Sequence, residues 1–207
     1  MLVERPWLAR TYFLLGPALR RPHGLVAGSL RCPDSGAVLD LCTGTGLLAR
    51  RIALRRPDVR VHGLDLDAAM IAEARRLNGG IANCSFSVGD VTELPADDAS
   101  VDAVTCALGL HEMPAADVPR ALAEAWRVLR PGGQLLVLDF SPRPRRLGSR
   151  TALRVLRRLE AHLEGFLTLD ILAEMKASGV ATVSDRMPPG GLYQLLDGTK
   201  PGTQPGP

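Results

Sequence analysis

Three carboxylates and a pair of glycines are spaced in this chain as a site for a cationic ligand requires. The stretch Val38-Leu39-Asp40-Leu41-Cys42-Thr43-Gly44-Thr45-Gly46 is an apolar run that ends in an acid and then a glycine turn. Glycine at such a turn lets the backbone approach a ligand that a Cβ would block. Gly44-x-Gly46-x-x-Ala49 also satisfies a loose dinucleotide fingerprint. Asp40 separates the two readings. A carboxylate four residues before Gly44 repels a pyrophosphate but suits a ligand carrying an ammonium and a sulfonium, such as S-adenosylmethionine. Asp65 lies 19 residues beyond Gly46, where a carboxylate accepts hydrogen bonds from both ribose hydroxyls of an adenosine. Asp67 is expected to cap the helix that follows. In Gly89-Asp90-Val91, Asp90 is placed to accept from an adenine amino group, with Val91 packing on the ring or donating its amide; the alternative is a turn aspartate. His111 and Glu112 follow another apolar run and are the acid–base candidates, since imidazole titrates near pH 6.5. Asp139 is a third. The competing reading makes His111 structural and Glu112 a solvated turn residue before Pro114.

The elements that must position these residues alternate strand and helix, which predicts an α/β fold: a Rossmann-like, doubly wound, seven-stranded and mostly parallel sheet with helices on both faces. Apolar runs place strands at Ala37–Leu41, Val59–Leu64, Ser85–Val88, Val101–Ala107 and Gln134–Phe140. Helical periodicity falls at Leu47–Arg55, Ala68–Leu77 and Asp117–Leu129, the last stopped by Pro131-Gly132-Gly133. A helix over Leu169–Ser178 and strands at Val180–Ser184 and Leu192–Leu196 follow, joined by a turn at Met187–Gly191. Ligands of such sheets bind at the carboxyl ends of the strands, which is where the acids and His111 fall. One domain over residues 1–197 is expected, with a helical cap at 1–36, a cofactor-binding core at 37–141 and substrate-side elements at 142–197; Gly198–Pro207 reads as a disordered tail.

At 207 residues, with 46% hydrophobic and 23% charged content, the composition is that of a globular protein able to bury a full core. No apolar run reaches the roughly 18 residues of a spanning helix, and no cleavable leader is expected at the N-terminus. Cys32, Cys42, Cys84 and Cys106 lack paired spacing, which argues against a zinc site or a disulfide framework and fits a cytoplasmic location. Cys42 reads as a small buried group rather than a nucleophile.

The acid–glycine turn, Asp65 and Asp90 together resemble the class I S-adenosylmethionine-dependent methyltransferases. Arg127-Val-Leu-Arg-Pro131-Gly-Gly-Gln-Leu-Leu-Val-Leu-Asp139-Phe-Ser141 is similar to the matching segment of the ubiquinone/menaquinone biosynthesis C-methyltransferases. The resemblance implies that Thr45 with Gly44 and Gly46, Asp65, and Asp90 with Val91 contact the cofactor. It departs at Cys42, where class I enzymes usually carry glycine. It departs again at Ala107, which replaces a serine of the quinone group, and at His111-Glu112, which replaces an Arg-Asn pair. The first 35 residues and the segment after Ser141 lack the quinone group's substrate-lid motifs. Cofactor binding therefore carries over, and the acceptor is left open as a small molecule or a lipid-like one.

Net charge is only +3, yet seven arginines and no acid lie between Ser141 and Arg158. From Arg150 onward they stand opposite an apolar stripe of Ala152, Val155, Leu156, Leu159 and Leu163. This is either a core-packed helix with a solvated face, or a peripheral membrane contact through Arg143–Arg158 that also governs access by the acceptor. With two Trp, two Tyr and four Phe, stacking platforms for nucleic acid are poor. The leading expectation is a methyltransferase acting on a small or lipid-like acceptor. A nicotinamide-dependent oxidoreductase and a catalytically silent binding module are the alternatives, and no metal site is expected.

Overall fold

The computed structural model describes residues 16–180, 182–188 and 190–202. Helix α1 (Gly16–Ser29) leads into β1 (Ala37–Leu41), α2 (Leu47–Arg55), β2 (Arg60–Asp65), α3 (Ala68–Asn78) and β3 (Cys84–Val88). Then come β4 (Val101–Ala107), a short 3₁₀ turn (Leu110–Glu112), α4 (Val118–Val128) and β5 (Leu129–Phe140). Helices α5 (Leu147–Leu159), α6 (Leu163–Thr168) and α7 (Ile171–Ala177) precede β6 (Thr182–Arg186) and β7 (Tyr193–Thr199).

The strands form one sheet in the order β3-β2-β1-β4-β5-β7-β6, as the alternation of elements predicts. Only β7 runs antiparallel to its neighbours. Strands buried on both faces carry continuous apolar runs, which is why β1 reads Ala-Val-Leu-Asp-Leu without alternation. Helices α1, α2 and α3 cover one face through residues such as Val26, Ile52 and Ile71. Helices α4, α6 and α7 cover the other through Leu122, Phe166 and Met175. On α4 the buried positions Val118, Ala121, Leu122, Ala125 and Val128 make one helical stripe. Sequence-adjacent strands leave β1 toward β2 on one side, while β4 pairs on the other, so a crevice opens at the carboxyl ends of β1 and β4.

Several boundaries differ from expectation. Strand β5 starts at Leu129, before Pro131-Gly132-Gly133, because these residues form an irregularity inside the strand rather than a break ahead of it. Gly132 takes φ +81, and its N–H donates to the carbonyl of Lys200 while Lys200 N–H donates to Gly133. Helix α7 begins at Ile171, two residues late, because the Asp170 carboxylate caps Ala173 N–H. Strand β6 is displaced to Thr182–Arg186 by its pairing with β7. The expected tail is overturned at its start: Gly198 and Thr199 close β7 against Gln134 and Leu135 of β5. Residues 203–207 lie outside the described residues, as do residues 1–15 of the expected cap. The apolar stripe after Arg150 is also revised. Val155 faces solvent, and Leu153 takes the buried position instead. Leu163 belongs to the next helix. No helix among the described residues is long and apolar enough to cross a membrane.

Lys200 ties the end of β7 to α4 and the start of β5. Its Nζ donates to the carbonyls of Trp126 and Leu129, both at 2.7 Å, and lies 5.5 Å from the centre of the Trp126 ring. Lys200→Met removes these charge-assisted bonds and should cost about 1.5–3 kcal/mol in chemical denaturation. An unchanged denaturation midpoint would show that the end of α4 does not depend on this contact.

Candidate active site

Two of the predicted acids are built into the architecture of the crevice. Asp40, near the end of β1, is 1% exposed. Its Oδ2 accepts from Thr43 Oγ1 at 2.7 Å and its Oδ1 from Thr105 Oγ1 of β4 at 2.6 Å. Burial pushes its pKa up to about 6, with the Asp65 charge adding to the rise and the two hydroxyls opposing it. Asp65, at the end of β2, accepts from Gly44 N–H at 2.8 Å and from Asp67 N–H at 2.9 Å. It thereby fixes the glycine turn from the neighbouring strand. Burial raises its pKa, while these backbone donors hold it down. Asp67 caps α3 as expected, accepting from Ala69 and Met70.

The turn has left-handed backbone at Cys42 (φ 50), Gly44 (φ 54) and Gly46 (φ 77). A Cβ on Gly46 would lie 2.6 Å from the Phe86 ring and 2.8 Å from Asn78, so the turn admits no larger residue. Cys42 is a non-glycine in a conformation that favours glycine, a strain found at functional sites. Gly109 makes room for it: a Cβ there would stand 2.3 Å from that of Cys42. The hydrogen-bonding Cys106 thiol and then burial hold the Cys42 pKa well above the usual thiol range, as suits an inert packing group.

Thr45 Oγ1 is buried and has no hydrogen-bond partner, the one such side-chain atom among the described residues. An orphaned buried hydroxyl costs about 1–3 kcal/mol. Thr45 lines a cavity of about 20 Å³ with Asp40, Thr43, Ala107 and, from α1, His23. His23 was not found from the sequence, because nothing local marks it. Burial, helped by Arg51, depresses its pKa to about 4, so it is neutral here.

The adenine-side candidates are placed less tightly. Asp90 is exposed, and its Oδ1 accepts from both Thr92 N–H and Thr92 Oγ1, the turn role that was its alternative reading. These bonds lower its pKa and leave Oδ2 without a hydrogen-bond partner among the described residues. The Val91 side chain is buried in the hydrophobic core with Leu64 and Leu94, and its backbone N–H donates to no described residue.

At the tips of β4 and β5 two of the three acid–base candidates, His111 and Asp139, stand together. His111 Nδ1 lies 2.7 Å from Asp139 Oδ1. Asp139 Oδ2 accepts from the N–H groups of Leu110 and His111, and Oδ1 also accepts from Phe140 N–H. With four donors on one buried carboxylate, His111 donates from Nδ1, and no described residue hydrogen-bonds Nε2. Phe140 packs edge-on against the ring at 4.7 Å, and Phe166 of α6 stands 6.3 Å away. Burial opposes charge on His111, but the Asp139 carboxylate outweighs it and raises the pKa above 6.5. Glu112 does not orient the imidazole. It is exposed on the rim, where partial desolvation and the carboxylates of Glu160, Asp65 and Asp139 raise its pKa against the pull of His111. No group of three or more metal-ligating side chains occurs among the described residues.

Comparison with known proteins places the same residues in context. Residues 38–133 match a methyltransferase domain family. The chain is 31% identical to the ubiquinone/menaquinone biosynthesis C-methyltransferase of Methylobacterium nodulans, over 96% of this chain and 81% of that protein. It is 45% identical to the demethylmenaquinone methyltransferase of Deinococcus radiodurans over 51% of this chain and 43% of that protein. At such higher identities the chain spans about half the length of the curated relatives it matches. A SAM-dependent methyltransferase from Aquifex aeolicus has the same fold, with a TM-score of 0.72, 18% identity, and coverage of 94% of this chain and 97% of that one.

The buried Asp40 makes stability depend on pH in a defined window. Its folded pKa of about 6 lies above the ordinary 3.8, so its contribution is complete below 3.8 and is lost as pH rises through 6. Asp40→Asn keeps partners for both threonine hydroxyls and does not titrate. Relative to wild type, this variant should gain about 2 kcal/mol between about pH 4.5 and about pH 7.5 in chemical denaturation. A pH-independent difference would mean that Asp40 does not carry its charge at a cost.

Proposed function

Because the chain belongs to the ubiquinone/menaquinone biosynthesis C-methyltransferase family, we propose that it binds S-adenosylmethionine at the glycine turn and methylates a lipid-like quinol. The observation that carries the catalytic part is the His111–Asp139 pair, buried and held at the tips of β4 and β5. When bound, the cofactor supplies a methyl group already activated on a sulfonium. The protein's task is then to orient the acceptor, exclude water and move one proton.

The residues present fit this cofactor. Thr45 offers an unpartnered buried hydroxyl, and Gly44 and Gly46 leave the turn free of side-chain bulk. Asp65 serves the ribose with the lone pairs that Gly44 and Asp67 leave free. Asp40 lies beneath the turn as the negative charge that suits an ammonium, and Asp90 Oδ2 with the Val91 amide serves the adenine. Helix α1 acts as a cap, its His23 closing the cavity beside Thr45. A cytoplasmic location fits the four free cysteines.

At the acceptor end, Asp139 holds the imidazole proton on Nδ1, which leaves the Nε2 lone pair to take a proton from a quinol hydroxyl. Loss of that proton pushes electron density onto the ring carbon to be methylated; as that carbon gains the methyl group its own hydrogen passes as a proton to the quinol oxygen, which restores the hydroxyl and the aromatic ring. Phe140 and Phe166 keep this end apolar, as a lipid-like ring requires. Glu112, on the rim, is a secondary acid–base candidate that receives the proton from the site.

Two measurements test the reading. Asp65→Ala should weaken S-adenosylhomocysteine binding in calorimetry by about 1.5–3 kcal/mol for each ribose hydrogen bond lost; unchanged affinity would remove Asp65 from the site. His111→Ala should lower kcat on a demethylated naphthoquinol by about 10²–10⁴-fold with cofactor affinity nearly intact. The wild-type rate should rise with pH, with its midpoint above 6.5, because Asp139 stabilises the imidazolium and only neutral His111 accepts a proton. In Asp139→Asn that limb should move to lower pH. Full turnover in His111→Ala would make the histidine structural.

A further inference from the structure

The exposed face of α5 carries an unusual mixture of residues. Arg143, Arg145, Arg146, Arg150, Arg154, Arg157 and Arg158 are all exposed, and among the described residues only Arg157 pairs with a carboxylate, Glu164 at 3.2 Å. Two large apolar side chains lie among them: Leu147 is 75% exposed and Val155 is 51% exposed. Leu147, Arg150, Arg154, Val155 and Arg158 are spaced i, i+3, i+7, i+8 and i+11, which puts them on one face. The opposite face is anchored. Leu153 is buried, Leu156 packs on the core, and Ser149 Oγ donates to the carbonyl of Gly190 in the β6–β7 turn. The helix is therefore held on the protein by one side and presents cations interleaved with bare apolar groups on the other.

A purely solvated face explains the arginines but not Leu147, the most exposed large apolar residue among those described. Arginine stems can lie along apolar surface while their guanidinium groups reach phosphate. That combination matches the interface of a bilayer with anionic headgroups. The face also stands at the right end of the molecule. Helix α5 follows the tip of β5 and packs against α6, whose Phe166 reaches the His111 ring.

We propose that this face docks the protein on membranes rich in anionic phospholipid, with Leu147 and Val155 entering the headgroup region and Arg150, Arg154 and Arg158 holding lipid phosphates. The docking rests on the proposed function only in its purpose, which is to bring the site to an acceptor dissolved in the bilayer. Sedimentation of the full chain with phosphatidylcholine vesicles containing phosphatidylglycerol tests it, with no cofactor or acceptor present. Failure there leaves methyl transfer standing. Failure of methyl transfer with a detergent-dispersed quinol leaves the membrane face standing.

The expected result is binding at about 0.1 M salt that is lost near 1 M, as screening shortens from about 10 Å to about 3 Å. The variant Arg150→Gln/Arg154→Gln/Arg158→Gln should bind about a hundredfold more weakly, at roughly fivefold per arginine. Leu147→Ser/Val155→Ser should weaken binding with its salt dependence retained. Any of four results would overturn the proposal: no binding to anionic vesicles at low salt, equal binding to pure phosphatidylcholine, wild-type binding by the triple variant, or capture by polyuridylate without vesicle binding.

Discussion

The site depends on a buried carboxylate at the switch point of the sheet, where β1 pairs with β2 on one side and with β4 on the other. Asp40 stands beside Thr105 in the β1–β4 register and ties the two strands and the turn together through Thr105 on β4 and Thr43 on its own turn. An ion taken out of water costs several kcal/mol unless its lone pairs are used. Two short hydroxyl bonds offset part of that cost and fix where the glycine turn begins. Everything above the turn inherits its position from this contact.

The same device recurs at two other strand tips. Asp65 at the tip of β2 receives the N–H groups of Gly44 and Asp67, which ties the turn to the start of α3. Asp139 near the tip of β5 receives four donors and shapes the 3₁₀ turn that carries His111. Backbone amides at strand ends lack ladder partners, so a carboxylate there satisfies them and concentrates negative charge on the crevice. Architecture and electrostatics come from the same three side chains. Glu112 and Glu160 extend that negative field to the rim, and it is felt at His111.

The charges are segregated: a negative crevice at the strand tips and a positive face on α5. Antiparallel β7 pairs beside β5, α7 packs on α4 and β6, and α6 packs on the 3₁₀ turn that carries His111. Lys200 pins the end of β7, which lies between β5 and the edge strand β6, to the end of α4 and the start of β5. The family's motifs lie at the tips of β1 and β2 and along β5. The departures from them fall at Cys42 in the glycine turn, at Ala107, which lines the cavity beside Thr45, and at His111 and Glu112 after β4.

Much of the fold was legible because its signals are local. Parallel strands buried on both faces appear as unbroken apolar runs, and amphipathic helices as stripes, so β1, β4 and α2 fall at their expected residues. The glycine turn was legible because left-handed backbone at Gly44 and Gly46, and close packing at Gly46, leave few residue types possible there. Asp67 as a cap was legible for the same reason, since capping spans three residues. What the sequence could not supply was pairing at a distance. Asp139 rather than Glu112 holds His111 because Ala107 of β4 registers with Leu138 of β5, which sets two residues 28 apart side by side. His23 and Thr105 enter the site by the same route, through the packing of α1 and the neighbouring strand. Val155 faces solvent because the angle at which α5 meets the core, which periodicity does not specify, buries Leu153 instead. Residue type and short spacing determined which groups reach the strand tips. Strand register and helix docking, which sum many weak contacts across the chain, decided which of those groups touch.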